Sequence, residues 1–174
     1  MSRIILKNHW SSEEIPSVNY RSQHMESHNL LPHIQNKKTD RFFICYARYD
    51  FSTEISGLRD YLSLVIPNSY VYYDNNKLKG EKWKKRNYYE IRHSNIMIVI
   101  ITPASLYSKE IKNEISLAKQ RRKRIIPCKD ENLAIDWNEL PWNMENIDGI
   151  SFDNTDTLKR KLYREINRIR KSIS

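Results

Sequence analysis

The sequence predicts an α/β fold: a five-stranded, doubly wound parallel sheet in the order 2-1-3-4-5, with helices on both faces. Short apolar blocks alternate with segments whose hydrophobic residues recur every three or four positions, which is the pattern of strands alternating with amphipathic helices. The segments between successive strands are too short for anything but helical crossovers, which favours parallel pairing. Only 3 glycines and 6 prolines occur in 174 residues, as expected for regular elements joined by short connections.

Five strands are predicted from short apolar runs. The first, Arg41 to Tyr46, has the composition of a strand buried on both faces of a parallel sheet. The most apolar run is Asn95 to Thr102, which is the third strand. The remaining strands are expected at Tyr70 to Tyr73, Arg124 to Cys128 and Gly149 to Phe152.

Four helices are predicted from hydrophobic stripes. The first carries Phe51, Ile55, Leu58, Leu62 and Val65 on one face and ends before Pro67. The second, from Trp83 to about Arg92, has a strongly basic exposed face. The third runs from near Ser108 to Gln120, and the fourth follows the stripe of Leu158, Leu162, Ile166 and Ile169.

The domain boundary is predicted near Asp40. Residues 1–39 are polar, hold four of the five histidines and show no sustained periodicity, which indicates a mostly irregular N-terminal extension. Residues 40–174 form the folded domain. The whole chain is 39% hydrophobic and 11% aromatic, which is enough apolar material for a core.

Several classes of protein are disfavoured by the residue types present. Cys45 and Cys128 are too few for a disulfide framework and form no CxxC pair, so a metal site is not expected. The first thirty residues lack the apolar stretch of a signal peptide. The longest aliphatic run, Ile96 to Ile101, is far shorter than the roughly 20 residues that cross a bilayer. We therefore expect a cytoplasmic protein without a membrane partner.

The formal charge is +9, from 30 Lys and Arg against 21 Asp and Glu. This charge favours nucleic acid, acidic lipid or a phosphorylated small molecule without choosing among them. The run from Lys119 to Arg124 is interpreted as the solvated C-terminal end of a helix, where cations interact favourably with the helix dipole. Nucleic acid is therefore not an expected partner.

A ligand crevice is predicted at the carboxyl ends of the first and third strands, where the strand order reverses. The loop after the first strand brings Ala47, Arg48, Tyr49 and Asp50 to this edge. Glu114 falls in the first two turns of the helix that follows the third strand, at the edge of that helix's buried face. The topology therefore directs a carboxylate toward the same crevice.

Five segments carry a recognisable pattern in a fixed order: Phe43 to Asp50; Val71 to Asp74, followed by Leu78 to Trp83; Ile98 to Thr102; Ser108 with Glu114 and Ile115; and Ile125 to Pro127. Together they resemble the TIR (Toll/interleukin-1 receptor) domain family. The first segment is similar to that family's opening strand and loop, and the second to its second strand and BB loop. In that family, proline commonly stands at the position of Lys79, and a Trp-Cys pair at the positions of Glu110 and Ile111.

The resemblance implies an enzyme that cleaves NAD⁺, releasing nicotinamide and forming ADP-ribose or a cyclic isomer, in defence or cell-death signalling. NAD⁺ is then a substrate, and no separate cofactor is expected. Glu114 matches the family's catalytic glutamate, which contacts the ribose attached to nicotinamide. The predicted substrate-binding residues are Ala47, Arg48, Tyr49, Asp74, Trp83 and Ser108.

Each of these residues also has an ordinary structural interpretation. Arg48 either clamps a pyrophosphate or is a surface arginine, and Tyr49 either stacks on a ring of the dinucleotide or packs beside a strand end. Asp74 is expected to order the BB loop by bonding backbone amides. Trp83 is expected to anchor its helix more than to contact a ligand. Glu114 competes with an ordinary solvated helical glutamate.

The BB loop is predicted to mediate self-association between TIR domains, as the resemblance implies. It consists of Asn75, Asn76, Lys77, Leu78, Lys79 and Gly80. The main alternative function is a non-enzymatic module that recruits an upstream receptor or a downstream effector, with Glu114 incidental. A nucleic-acid-binding TIR protein is the third class.

Overall fold

The computed structural model describes residues 39–75, 80–144 and 148–173. Their strands form one parallel sheet in the order β2-β1-β3-β4-β5, which confirms the predicted fold class and strand order. The strands are β1 (Asp40–Cys45), β2 (Ser69–Tyr73), β3 (Ile96–Ile101), β4 (Arg124–Asp130) and β5 (Ile150–Phe152).

Helices connect the strands and cover both faces of the sheet. The helices are α1 (Arg48–Phe51), α2 (Glu54–Val65), α3 (Gly80–His93), α4 (Pro103–Leu106), α5 (Lys109–Gln120) and α6 (Thr155–Ile173), with a short 3₁₀ helix at Trp137–Glu139.

Two local features differ from the sequence prediction. The hydrophobic stripe that begins at Phe51 is divided between α1, which ends at Phe51, and α2, which begins at Glu54. The Phe51 ring packs edge-on against Phe152 with centroids 6.2 Å apart. The unpredicted helix α4 begins directly after β3 with Pro103, a residue suited to a first helical position. The Oγ of Ser105 accepts the amide of Thr102 at 2.9 Å and fixes this turn.

The core lies in two layers, one on each face of the sheet. The six residues of β3 are all buried and alternate between the layers. Ile96, Ile98 and Ile100 pack with the stripes of α2 and α6, whereas Met97 and Val99 pack with α5 and with Ile91 of α3. The helices α3 and α5 are therefore neighbours on one face, and α2 and α6 cover the other.

Some sequence predictions fall on parts of the chain outside the described residues. These are the irregular extension up to residue 38 and the BB-loop residues Asn76, Lys77, Leu78 and Lys79. Across the described ranges, no helix is long and apolar enough to span a membrane. The same ranges contain no group of three or more His, Cys, Asp or Glu side chains placed to hold a metal ion.

Candidate active site

A crevice of about 380 Å³ lies beyond the carboxyl ends of β1 and β3, where the topology predicts a ligand site. It brings together residues that are far apart in the sequence, because β1 and β3 are hydrogen-bonded neighbours in the sheet. All seven predicted catalytic and substrate-binding residues line it: Ala47, Arg48, Tyr49, Asp74, Trp83, Ser108 and Glu114.

Glu114 lies in the second turn of α5 and is restrained by two neighbours. Asn87 of α3 donates from Nδ2 to the Glu114 carboxylate at 2.7 Å, and the buried thiol of Cys45 also hydrogen-bonds to it. Burial raises the pKa of Glu114 above its ordinary value, although the bonds from Cys45 and Asn87 and the nearby charge of Arg48 oppose the rise. The carboxylate is held in one orientation and titrates closer to neutral pH than a solvated glutamate does.

Asn87 is a site residue that the sequence reasoning missed. Its side chain is only 5% exposed, and its Oδ1 accepts the hydroxyl of Tyr72 at 2.9 Å. Burial raises the pKa of Tyr72 to about 12, so its hydroxyl is a proton donor throughout the neutral range. The signal was available, because Asn87 falls four residues after Trp83 and four before Ile91, on the inward stripe of α3. A polar residue on such a stripe needs a buried partner.

Arg48, Asp74 and Trp83 form a second cluster in the crevice. The carboxylate of Asp74 pairs with the Arg48 guanidinium and accepts the indole N–H of Trp83. The guanidinium also lies 5.4 Å from the centre of the Trp83 ring. Arg48 is thus engaged by the protein, and a pyrophosphate would have to share it with Asp74. Trp83 of α3 is thus bonded to the segment that follows β2, and it also lines the crevice.

The segment that enters the BB loop is tied to the end of β1. The hydroxyl of Tyr46 donates to the backbone carbonyl of Asp74 at 2.6 Å. Asp74 therefore fixes this junction through both its backbone and its side chain, the latter bound to Arg48 and Trp83. At the far end of the loop, Gly80 has a φ of +63°, a conformation that glycine adopts without strain.

Asp50 and Ser108 hold the loops that border the crevice. The carboxylate of Asp50 accepts the Thr102 hydroxyl and the Ala104 amide, both at 2.8 Å, which joins the loop after β1 to the start of α4. Ser108 caps α5 by accepting the amide of Ile111 at 3.3 Å. Tyr49, in contrast, is 94% exposed and available to stack on a ligand or a partner.

Comparison with known proteins identifies the family. The family model for the TIR domain matches residues 42–166. The chain belongs to the TIR domain family. A comparison with curated proteins gave no match.

Several solved structures share the fold of this TIR domain. The Clostridium botulinum CMP N-glycosidase BcmB is 19% identical, with a TM-score of 0.54, over 71% of this chain and 97% of that one. The TIR domains of the activated Roq1 resistosome are 14% identical, with a TM-score of 0.58, over 74% and 99% of the two chains. The TIR domain of the Toll-related receptor TRR-2 from Hydra magnipapillata is 21% identical, with a TM-score of 0.53, over 72% and 97%. At these identities the likeness is one of fold.

Proposed function

We propose that this TIR domain protein is a cytoplasmic NAD⁺ glycohydrolase that releases nicotinamide and forms ADP-ribose or a cyclic isomer in defence or cell-death signalling. The observation that carries the proposal is the restrained carboxylate of Glu114 in the crevice at the switch point of the sheet. Support also comes from the TIR family match and from the shared fold of an enzyme named as an N-glycosidase.

The proposed reaction breaks the bond between the nicotinamide nitrogen and C1′ of the ribose. The bonding electron pair leaves with the nitrogen, so cationic nicotinamide becomes neutral without needing a general acid. The ribose becomes oxocarbenium-like, and a fixed carboxylate stabilises that positive charge. Water then adds to C1′ and releases one proton. In the cyclic product an adenine ring nitrogen takes the place of water.

The neighbours of Glu114 suit this role. Asn87 holds one carboxylate oxygen through a bond that leaves the negative charge in place, and the Tyr72 hydroxyl orients Asn87 in turn. Such a chain fixes the charge before the substrate arrives, so that little reorganisation is needed during reaction. Because the pKa of Glu114 is raised, acidification should protonate its catalytic carboxylate at a higher pH than it protonates an ordinary glutamate.

The test is to incubate the purified full chain with NAD⁺ and to quantify nicotinamide and ADP-ribose by chromatography. Wild-type protein is expected to release nicotinamide, and Glu114→Ala should be slower by about 10²-fold or more. Glu110→Ala is a matched control, because Glu110 lines the same crevice from an exposed position without the bond from Asn87. An equal loss of nicotinamide release in both variants would show that Glu114 is not the catalytic residue.

Self-association is part of the proposal, as the family resemblance implies that a BB loop helps to complete a neighbouring site. Measuring nicotinamide release per molecule across a wide dilution series, with light scattering in parallel, tests it. Specific activity should fall as the protein is diluted. Constant nicotinamide release per molecule from a monomer would contradict the need for self-association, but not the glycohydrolase activity.

A second candidate function is a non-enzymatic interaction module. It is favoured by two tyrosines in the segments that border the crevice: Tyr49 is 94% exposed and Tyr107 is 89% exposed. Exposed aromatic residues of this kind are common at protein interfaces. Absence of nicotinamide release at every protein concentration, together with concentration-dependent association, would favour this function.

A further inference from the structure

A second cavity joins the crevice at Glu114. It is a groove of about 560 Å³ between α3 and α5, and it shares Trp83, Asn87, Glu110 and Glu114 with the crevice. The groove follows α5 from Lys109 to Gln120, which is roughly 16 Å at the rise of an α-helix. The crevice and the groove are therefore adjacent at Glu114.

The size of the two cavities bears on the size of the substrate. Ligand pockets usually measure roughly 300–1,000 Å³, and the crevice alone, at about 380 Å³, lies near the lower limit. A dinucleotide such as NAD⁺ carries a second nucleotide, and the groove offers space for it beside the crevice.

Cations border the groove close to the crevice. Lys84 of α3 and Lys109 of α5 line it, and both are exposed. Neither has an ion-pair partner within the part of the chain that the structure describes, unlike Arg48, which Asp74 engages. Lys109 is also the first residue of α5, where the helix dipole favours an anion. Among the described residues that line the groove, these are the two cationic side chains.

The deeper part of the groove has the character of a base-binding site. Leu117 supplies partly exposed apolar surface over the buried Ile91, and Tyr88 presents a ring that is 44% exposed. Arg121 donates to the Tyr88 hydroxyl at 3.3 Å, and the Arg92 guanidinium lies 5.7 Å from the ring centre, so the ring is held in place from two sides. A positioned aromatic ring beside apolar residues is suited to stacking with a purine.

We infer that the groove between α3 and α5 binds the adenosine diphosphate half of a dinucleotide substrate. Lys84 and Lys109 bind the two phosphates, and the adenine stacks on Tyr88 beside Leu117. The ribose that carries the leaving base then lies at Glu114. This inference rests on the proposed function for its reaction, but binding in the groove can be measured without any turnover. It makes the enzyme selective for dinucleotides over mononucleotides and nucleosides.

The first test is calorimetric titration of ADP-ribose into the full chain, which involves no bond cleavage. Tyr88→Ala should weaken binding about 5-fold or more, because base stacking on an aromatic ring is lost. Tyr88→Phe keeps the ring but loses the bond from Arg121, so it should bind ADP-ribose more tightly than Tyr88→Ala does. Tyr163→Ala is the matched control, since Tyr163 is 39% exposed on α6, which covers the other face of the sheet.

Lys84→Ala and Lys109→Ala should each weaken ADP-ribose binding, and the effect should shrink at high salt because a phosphate contact is electrostatic. Lys171→Ala provides the control, as Lys171 is exposed on α6. Absence of ADP-ribose binding by the wild type would overturn the inference. Equal affinity of Tyr88→Ala and wild type, or equal weakening by Tyr163→Ala, would also overturn it.

A kinetic measurement separates this inference from the proposed function. The ratio of kcat/KM for NAD⁺ to kcat/KM for nicotinamide riboside should be high in the wild type and lower in Tyr88→Ala. An unchanged ratio would contradict adenosine diphosphate binding in the groove without contradicting the proposed glycohydrolase activity. No release of nicotinamide from either substrate would contradict the glycohydrolase, while the ADP-ribose titration would still decide the groove.

Discussion

Replacement of Glu114 by Gln should separate its catalytic role from its structural one. Gln keeps the shape of the side chain and an oxygen that can accept from Asn87, which lies 2.7 Å away in the wild type. A hydrogen bond to a charged group contributes about 1.5–3 kcal/mol and a neutral one about 0.5–1.5 kcal/mol, so the weaker bond costs about 1 kcal/mol. Relief of the buried charge acts in the opposite direction. We expect a net change in the free energy of unfolding within about 1 kcal/mol.

Glu114→Ala has a different expected outcome. It leaves the Nδ2 of Asn87 without its acceptor in a site where that side chain is 5% exposed. An unsatisfied buried donor costs about 1–3 kcal/mol, so the Ala variant should be the less stable of the two. Both variants should lose nicotinamide release by about 10²-fold or more. Urea denaturation and the chromatographic assay measure the two effects separately.

The pH dependence follows from the raised pKa of Glu114. A carboxyl group with a raised pKa in the folded state binds its proton more tightly there than in the unfolded chain. Its contribution to stability therefore falls as pH rises from the ordinary carboxyl range through the raised pKa. Glu114→Gln lacks this titration, so wild type should gain stability relative to the variant on acidification and lose turnover. Full turnover by the Gln variant, or the opposite pH trend, would refute the reasoning.

Two further predictions concern stability away from the site. Arg122 follows α5 with a φ of +51°, in a turn closed by the Lys123 amide on Ala118 and its own amide on Lys119. Arg122→Gly should raise the free energy of unfolding by about 1 kcal/mol in thermal denaturation, whereas Arg122→Ala, which keeps the left-handed strain, should give no such gain. A Cβ on Gly149 would lie 2.2 Å from the Trp137 ring. Gly149→Ala should therefore lower the free energy of unfolding by about 1–3 kcal/mol. A variant as stable as the wild type would show that the ring moves freely.

Much of the fold follows from local patterns in the sequence. Buried parallel strands and amphipathic helices have different hydrophobic periods, and both periods are visible along the chain. Element boundaries were less predictable: β4 continues to Asp130 beyond the expected Cys128, because it also pairs with β5 there. Phe51, the first residue of the predicted stripe, ends the separate helix α1 and packs on Phe152, a residue far away in the sequence.

The sequence by itself determined the alternation of strands and helices and the edge of the sheet that carries the crevice. It did so because strand order and the positions of strand ends follow from local periodicity and the rules of parallel crossovers. Only the tertiary structure decided how those side chains are engaged: Asp74 with Arg48 and Trp83, and Asn87 with Glu114 and Tyr72. Such pairings depend on the distance between elements that pack against each other, and no local pattern in the chain encodes that distance.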